Sequence, residues 1–138
     1  MEINRNQTHY IIMTVIYDEL NDYLIGGGKT FRDPKELIEE LCEEEFAQVD
    51  DFIKHSISCA LNNYSSIKQA YIPFLKGWEF DRLPLLTQSV LLMSYSHFYY
   101  VEKVDKKVVI NIAVNLAKKY IDEKQAKFIN AILDKVLK

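Results

Sequence analysis

The stretch Lys106–Asp134, KKVVINIAVNLAKKYIDEKQAKFINAILD, decides the fold class. It reads as two amphipathic helices joined by a short corner. In the first, Val109, Ile112, Ala113, Leu116 and Tyr120 recur at helical steps and form one apolar stripe, while Asn111, Asn115, Lys118 and Lys119 point outward or obliquely. Asp105 stands where a helix N-cap belongs. In the second helix Ile129, Ile132, Leu133 and Val136 repeat the pattern. Asp122 is its expected cap, and Asp122 and Glu123 place acid at the positive end of the helix dipole.

Working outward, the rest of the chain also carries helical spacing. Residues Arg5 to Leu24 predict a first helix on Ile12, Ile16, Leu20 and Tyr23, ended by Gly26-Gly27-Gly28. Asp33-Pro34 starts a second, with Leu37, Ile38, Leu41 and Cys42 as its stripe. Phe46 to Tyr64 reads as a third, and Ser65 or Ser66 as the cap of a further segment ending near Pro73. After Pro84, the run Leu85 to Phe98 is apolar almost all round, which marks a central helix covered on several sides.

The totals limit the functional classes. The chain has 138 residues, 49% of them hydrophobic, with four Gly and three Pro, a composition that suits one helical globule. No apolar run reaches the length of a membrane span, and the N-terminus lacks a basic-then-apolar secretory pattern, so a cytoplasmic protein is expected. The net charge of −3 hides an asymmetry. Eight acids face one lysine between Lys35 and Asp51, whereas nine lysines face four acids from Lys103 to the end. A basic quarter on an acidic protein can mark a nucleic-acid face, although lysines on helices also serve simply as solvated charge.

Other motifs are weaker. Gly28-Lys29-Thr30 suggests a phosphate loop, but Tyr23 occupies the position of that motif's first glycine and a helix precedes it. Glu39, Glu40, Glu43, Glu44 and Glu45 read as a solvated face before a metal or acid–base cluster. His55 and Cys59 are spaced as two ligands would be, yet a metal site needs a third and usually a fourth. Cys42 and Cys59, the only cysteines, form no CxxC and read as buried thiols. The expectation is therefore a non-enzymatic protein with no cofactor and no metal.

The opening stretch also carries a resemblance. Val109-Ile110-Asn111, Leu116-Ala117-Lys118-Lys119-Tyr120, Lys127-Phe128-Ile129-Asn130 and Leu133-Asp134 resemble the C-terminal signature of the NusB family, the bacterial transcription antitermination factors. Trp78, Arg82 and Leu83 are similar to the family's W-x-x-x-R-L junction, and Val15-Ile16-Tyr17 to the end of its first helix. The resemblance implies an all-α, NusB-like fold of about six to seven helices in two three-helix sub-bundles. Residues 1–138 would form a single domain, with sub-bundles at about 1–75 and 76–138.

The resemblance also implies a function: binding boxA-type RNA together with the ribosomal protein NusE, within an RNA polymerase antitermination complex. Carried over residue by residue, it puts Arg5, His9, Lys124, Lys127 and Asn130 on the RNA side, and His97 on the segment that meets the ribosomal protein. This chain departs from the pattern. The arginine-rich start is reduced to Asn4-Arg5-Asn6-Gln7-Thr8-His9. Leu92, His97, Ile112, Ala131 and Asp105 replace the family's arginine, glutamate, glutamate, glycine and proline. Fewer cations at the start mean fewer released counterions and a weaker salt dependence. The alternative is a divergent protein-interaction module, a homodimer or a complex with another partner, whose RNA binding is weakened or lost.

Overall fold

The computed structural model describes residues 5–138, with side chains from Gln7 onward. Among the described residues all regular structure is helical. The α-helices are α1 (Arg5–Ile25), α2 (Lys35–Cys42), α3 (Asp51–Asn62), α4 (Tyr64–Tyr71), α5 (Leu85–Ser96), α6 (Lys106–Tyr120) and α7 (Glu123–Val136). Short 3-10 turns lie at Phe46–Gln48, Ile72–Phe74 and Phe80–Arg82, and a π turn at His97–Val101 prolongs α5. This matches the all-α expectation.

Helix α5 is the hub. Every residue from Thr87 to Ser94 is buried, because α1, α3, α4, α6 and α7 all pack on this helix. Burial of its polar side chains needs partners. Ser89 and Ser94 donate back to the carbonyls of Leu85 and Val90, and the Gln88 amide donates to the Leu83 carbonyl at 2.9 Å. Thr87 reaches across to Gln125 on α7 at 2.9 Å. The fully buried Tyr71 on α4 donates to the Leu91 carbonyl at 2.6 Å. One continuous core runs from Ile11 on α1 to Leu137.

The caps explain where helices begin. Asp105 accepts from the Lys107 N–H at 2.8 Å and Asp122 from the Gln125 N–H at 2.7 Å. Each satisfies a donor that the first turn leaves open. The same chemistry corrects two expectations. The helix expected over Phe46–Tyr64 starts only at Asp51, because Asp50 accepts from the Phe52 N–H at 2.7 Å and leaves Phe46–Gln48 as a separate turn. It ends at Asn62, where the Asn63 amide donates to the Cys59 carbonyl at 2.8 Å. Helix α4 therefore opens at Tyr64, ahead of the serines expected to cap it. Side chains that bond to nearby backbone interrupt helices in this way.

The segment between α1 and α2 is tied down by Arg32. Its guanidinium meets Asp18 at 2.8 Å, Glu19 at 3.1 Å and Asp22 at 3.1 Å, all on α1. Gly27 and Gly28 take φ of +88° and +73°, which glycine adopts without steric cost. Helix α2 ends on Glu43, a non-glycine at φ +54°.

Candidate nucleic-acid and partner interface

The first turns of α1 bring the site together. His9 is 8% exposed and packs between α3 and the π turn. Its ring lies 5.8 Å from Phe52, edge to face, and 5.8 Å from His97, nearly stacked. Phe52 and His97 are themselves 5.4 Å apart. His97 is 5% exposed, and its Nε2 lies 2.8 Å from Glu102 Oε1, so a proton there is donated to the carboxylate. The π turn matters here. Such a turn widens the helix locally and shifts which side chain faces inward.

Two clefts open on either side of this cluster, and His9 and Ile112 line both. The larger, about 550 Å³, is bounded by Thr8, Asp50, Phe52, His97, Glu102, Val104 and Val108. The smaller, about 300 Å³, is bounded by Asn115, Leu116, Lys119 and Tyr120 on α6. Their charges differ. Asp50 and Glu102 make the larger cleft acidic at its rim, and Lys119 makes the smaller one basic. Tyr120, which lines the smaller cleft, meets Tyr10 with ring centroids 4.9 Å apart, and Tyr10 remains 37% exposed.

The basic corner continues from there. Lys124 lies four positions beyond Tyr120, so the chain keeps their Cα atoms within about 14 Å. Lys124, Lys127 and Asn130 are exposed on successive turns of α7, opposite the buried stripe of Ala126, Ile129, Ile132, Leu133 and Val136. Lys118 and Lys119 are exposed at the end of α6. Among the described residues Lys118, Lys124 and Lys127 make no ion pair, unlike Lys106, whose ammonium meets Asp134 at 3.2 Å.

The residues singled out from sequence thus fall as follows. Lys124, Lys127 and Asn130 share the outer side of α7. His9, expected at the RNA surface, is mostly buried and forms the wall between the clefts, because its helix turns that face toward α3. His97 is buried beside it, with Glu102 carrying the charge at the cleft rim. The backbone of Arg5 opens α1 about 6 Å along the axis before His9, and its side chain lies outside the described residues. Of the departures from the family pattern, Leu92 is fully buried, Ile112 lines both clefts and Ala131 is exposed.

Sequence reasoning passed over Tyr10, Asn115, Lys119 and Tyr120 as site residues. Asn115 and Lys119 stand four apart and so share a face of α6, a signal the spacing contains. Nothing in the sequence joins Tyr10 to Tyr120, since their contact spans most of the chain.

The other motifs resolve simply. Gly28-Lys29-Thr30 follows helix α1, and among the described residues no strand precedes it. The Cys59 thiol lies 3.5 Å from His55 Nε2, and no third ligand joins them among the described residues. Burial pushes both cysteine thiols up from their ordinary pKa, Cys42 with help from Glu44. Among the described residues no helix is long and apolar enough to cross a membrane.

The fold and this two-cleft face define a class: a small, all-helical binding protein built around one buried central helix. Within it, the chain belongs to the NusB family, whose profile matches residues 12–138. It is 29% identical over 143 aligned positions to the transcription antitermination protein NusB of Clostridium botulinum (strain Kyoto), covering 98% of this chain and 100% of that one. It is 28% identical over 134 residues to the protein of that name from Chloroherpeton thalassium, covering 97% of this chain and 61% of that longer one. Among solved structures, NusB of T. maritima superposes with a TM-score of 0.80 at 21% identity, covering 99% and 92% of the two chains. A structure of the antitermination factors NusB and NusE in complex with dsRNA superposes with a TM-score of 0.74 at 24% identity, covering 96% and 95%.

Proposed function

We propose that the chain is a cytoplasmic transcription antitermination factor that works by binding rather than catalysis. It takes up boxA-type RNA together with the ribosomal protein NusE and delivers both to an RNA polymerase antitermination complex. The observation that carries this reading is the division of one face into a basic half and an acidic half. The start of α1 and the α6–α7 corner, with Lys118, Lys119, Lys124 and Lys127, suit phosphates. Asp50 and Glu102, above an apolar floor of Val104, Val108 and Ile112, suit a basic segment of the protein partner. Family membership and the NusB–NusE–RNA relative support the pairing of the two. Arg5, Lys124, Lys127 and Asn130 are assigned to RNA, and His97, through Glu102, to the partner side.

The acidic cleft also supports a second reading, a partner-binding module without RNA. A titration of labelled boxA-type RNA, with and without NusE, at about 50 and about 200 mM salt separates them. NusE should raise RNA affinity, and Lys124→Ala with Lys127→Ala should lower it. A NusE complex that gains no RNA affinity at the lower salt removes the RNA role and leaves the module.

A further inference from the structure

A third cleft, about 430 Å³, opens between the α1–α2 segment and α3, and it shares no residue with the two clefts above. Phe31, Pro34, Ile38, Phe46 and Leu61 give it an apolar lining. Both walls are held in place. On one side Arg32 is fastened to Asp18, Glu19 and Asp22, and Phe31 stacks on Tyr23 with ring centroids 4.1 Å apart. On the other, Lys54 reaches from α3 to donate to the Phe46 carbonyl at 3.1 Å, with its ammonium 4.9 Å from the centre of the Phe46 ring. A cleft held this way exists before a ligand arrives, so little ordering entropy opposes binding.

The charges choose the occupant. The two cations that line the cleft are already matched, Arg32 by its three carboxylates and Lys54 by Asp51 at 3.5 Å. The acids are in surplus. Asp33 lines the cleft, and among the described residues its carboxylate makes no ion pair. Phe46 also borders a neighbouring hollow of about 380 Å³, where Glu39 and Glu45 stand beside Lys35. Between Lys35 and Asp51 eight acids face one lysine, so the field over this side is negative. It repels a polyanion and draws a cationic segment. An acidic cluster alone is a solvated face. Here it rims a preformed apolar cleft, and the two together fit a ligand that is both basic and apolar.

We propose that the α2–α3 cleft is a docking surface for a basic segment of a further protein partner. One large aliphatic or aromatic side chain of that segment enters the cleft, and its lysines or arginines lie against Asp33, Glu39 and Glu45. A cleft of this size takes one such side chain, the kind of buried anchor that carries most of the energy at protein interfaces. No residue is shared with the RNA face, so both can be occupied together.

The test uses the full chain and a short fluorescein-labelled peptide with a leucine–phenylalanine centre and lysines on both sides, read by anisotropy. Two control peptides carry alanines at the centre, or glutamates in place of the lysines. Ser58→Trp fills the cleft from an exposed position, and Glu45→Lys reverses one exposed rim charge. Thermal melting checks that both variants fold. Ser58→Trp should weaken binding roughly tenfold or more, the size of one anchor. Glu45→Lys should weaken it roughly 2- to 5-fold, and less as salt is raised. Both control peptides should bind more weakly than the original, Lys124→Ala/Lys127→Ala should bind the original as the native chain does, and added NusE and boxA-type RNA should leave the peptide in place. An alanine-centred peptide that binds as well as the original, or native affinity in Ser58→Trp, overturns the proposal and reduces this side to a diffuse acidic field. Displacement of the peptide by NusE gives the cleft to the partner already proposed and overturns a further one.

Discussion

The two ends of α1 use charge in opposite ways. At the C-terminal end, Arg32 is shared among Asp18, Glu19 and Asp22, and Glu19 is 1% exposed. Burial raises the Glu19 carboxyl above its ordinary pKa, and Arg32 pulls it back down. The hydrogen bond to Asp18 holds the Arg32 guanidinium up. Charge there is consumed in fastening the α1–α2 segment to the core. At the N-terminal end the contacts are aromatic, through His9, His97, Phe52, Tyr10 and Tyr120. The nearby Lys118, Lys124 and Lys127 make no ion pair among the described residues. Cations that hold the fold are unavailable to a ligand, and those left open at this corner are what a polyanion can meet.

Four substitutions probe that contrast, beginning with the largest effect. Arg32→Ala should lower the unfolding midpoint in denaturant titrations the most, because it leaves the Glu19 carboxylate buried without its partner. RNA affinity should be unchanged; a parallel loss of RNA binding would mean that the two ends are not independent. Lys124→Ala/Lys127→Ala should do the reverse. Stability stays within about 0.5 kcal/mol of native, while the slope of log affinity against log salt becomes shallower by about 0.7 per lysine. A destabilised double variant would place those lysines in the fold rather than on a binding face.

Glu19→Gln tests the electrostatic account of the fastened end. A raised carboxyl pKa contributes stability that is fully present below the unfolded value, near about pH 4.3, and lost as pH rises through the folded value. Glutamine does not titrate, so the variant's stability relative to the native chain should climb between about pH 4 and pH 7. A falling trend would show that Arg32 outweighs burial. The smallest effect is at Glu43, whose φ of +54° ends α2. Glu43→Gly should gain about 0.5–1 kcal/mol at midpoint by relieving the left-handed conformation, and should leave RNA binding untouched.

Much of this architecture can be read from local chemistry. Asp105 and Asp122 are caps because a carboxylate just before an apolar-periodic run has nearby N–H groups to accept from, and both do so. The all-round burial of α5 follows from its lack of a polar face. Where local signals compete, the reading fails. The apolar spacing of Phe46–Tyr64 continues through Asp50 and Asn63, yet their side chains bond the backbone and divide the helix. The candidate site was legible only in part. Lys124, Lys127 and Asn130 can be put on one side of α7 from spacing alone, since a single helix defines that side. The burial of His9 against His97, the π turn beneath it and the Tyr10–Tyr120 pair depend on how distant helices meet. No local pattern encodes those contacts.

Ultraviolet crosslinking of the native chain to bound boxA-type RNA in the presence of NusE, with the crosslinked peptides mapped by mass spectrometry, tests the central claim most directly. Crosslinks should fall on Tyr10, Tyr120 and the segment holding Lys124 and Lys127. Crosslinks confined to the acidic side of α2 or to the Arg32 end of α1, with none at the α6–α7 corner, would contradict it.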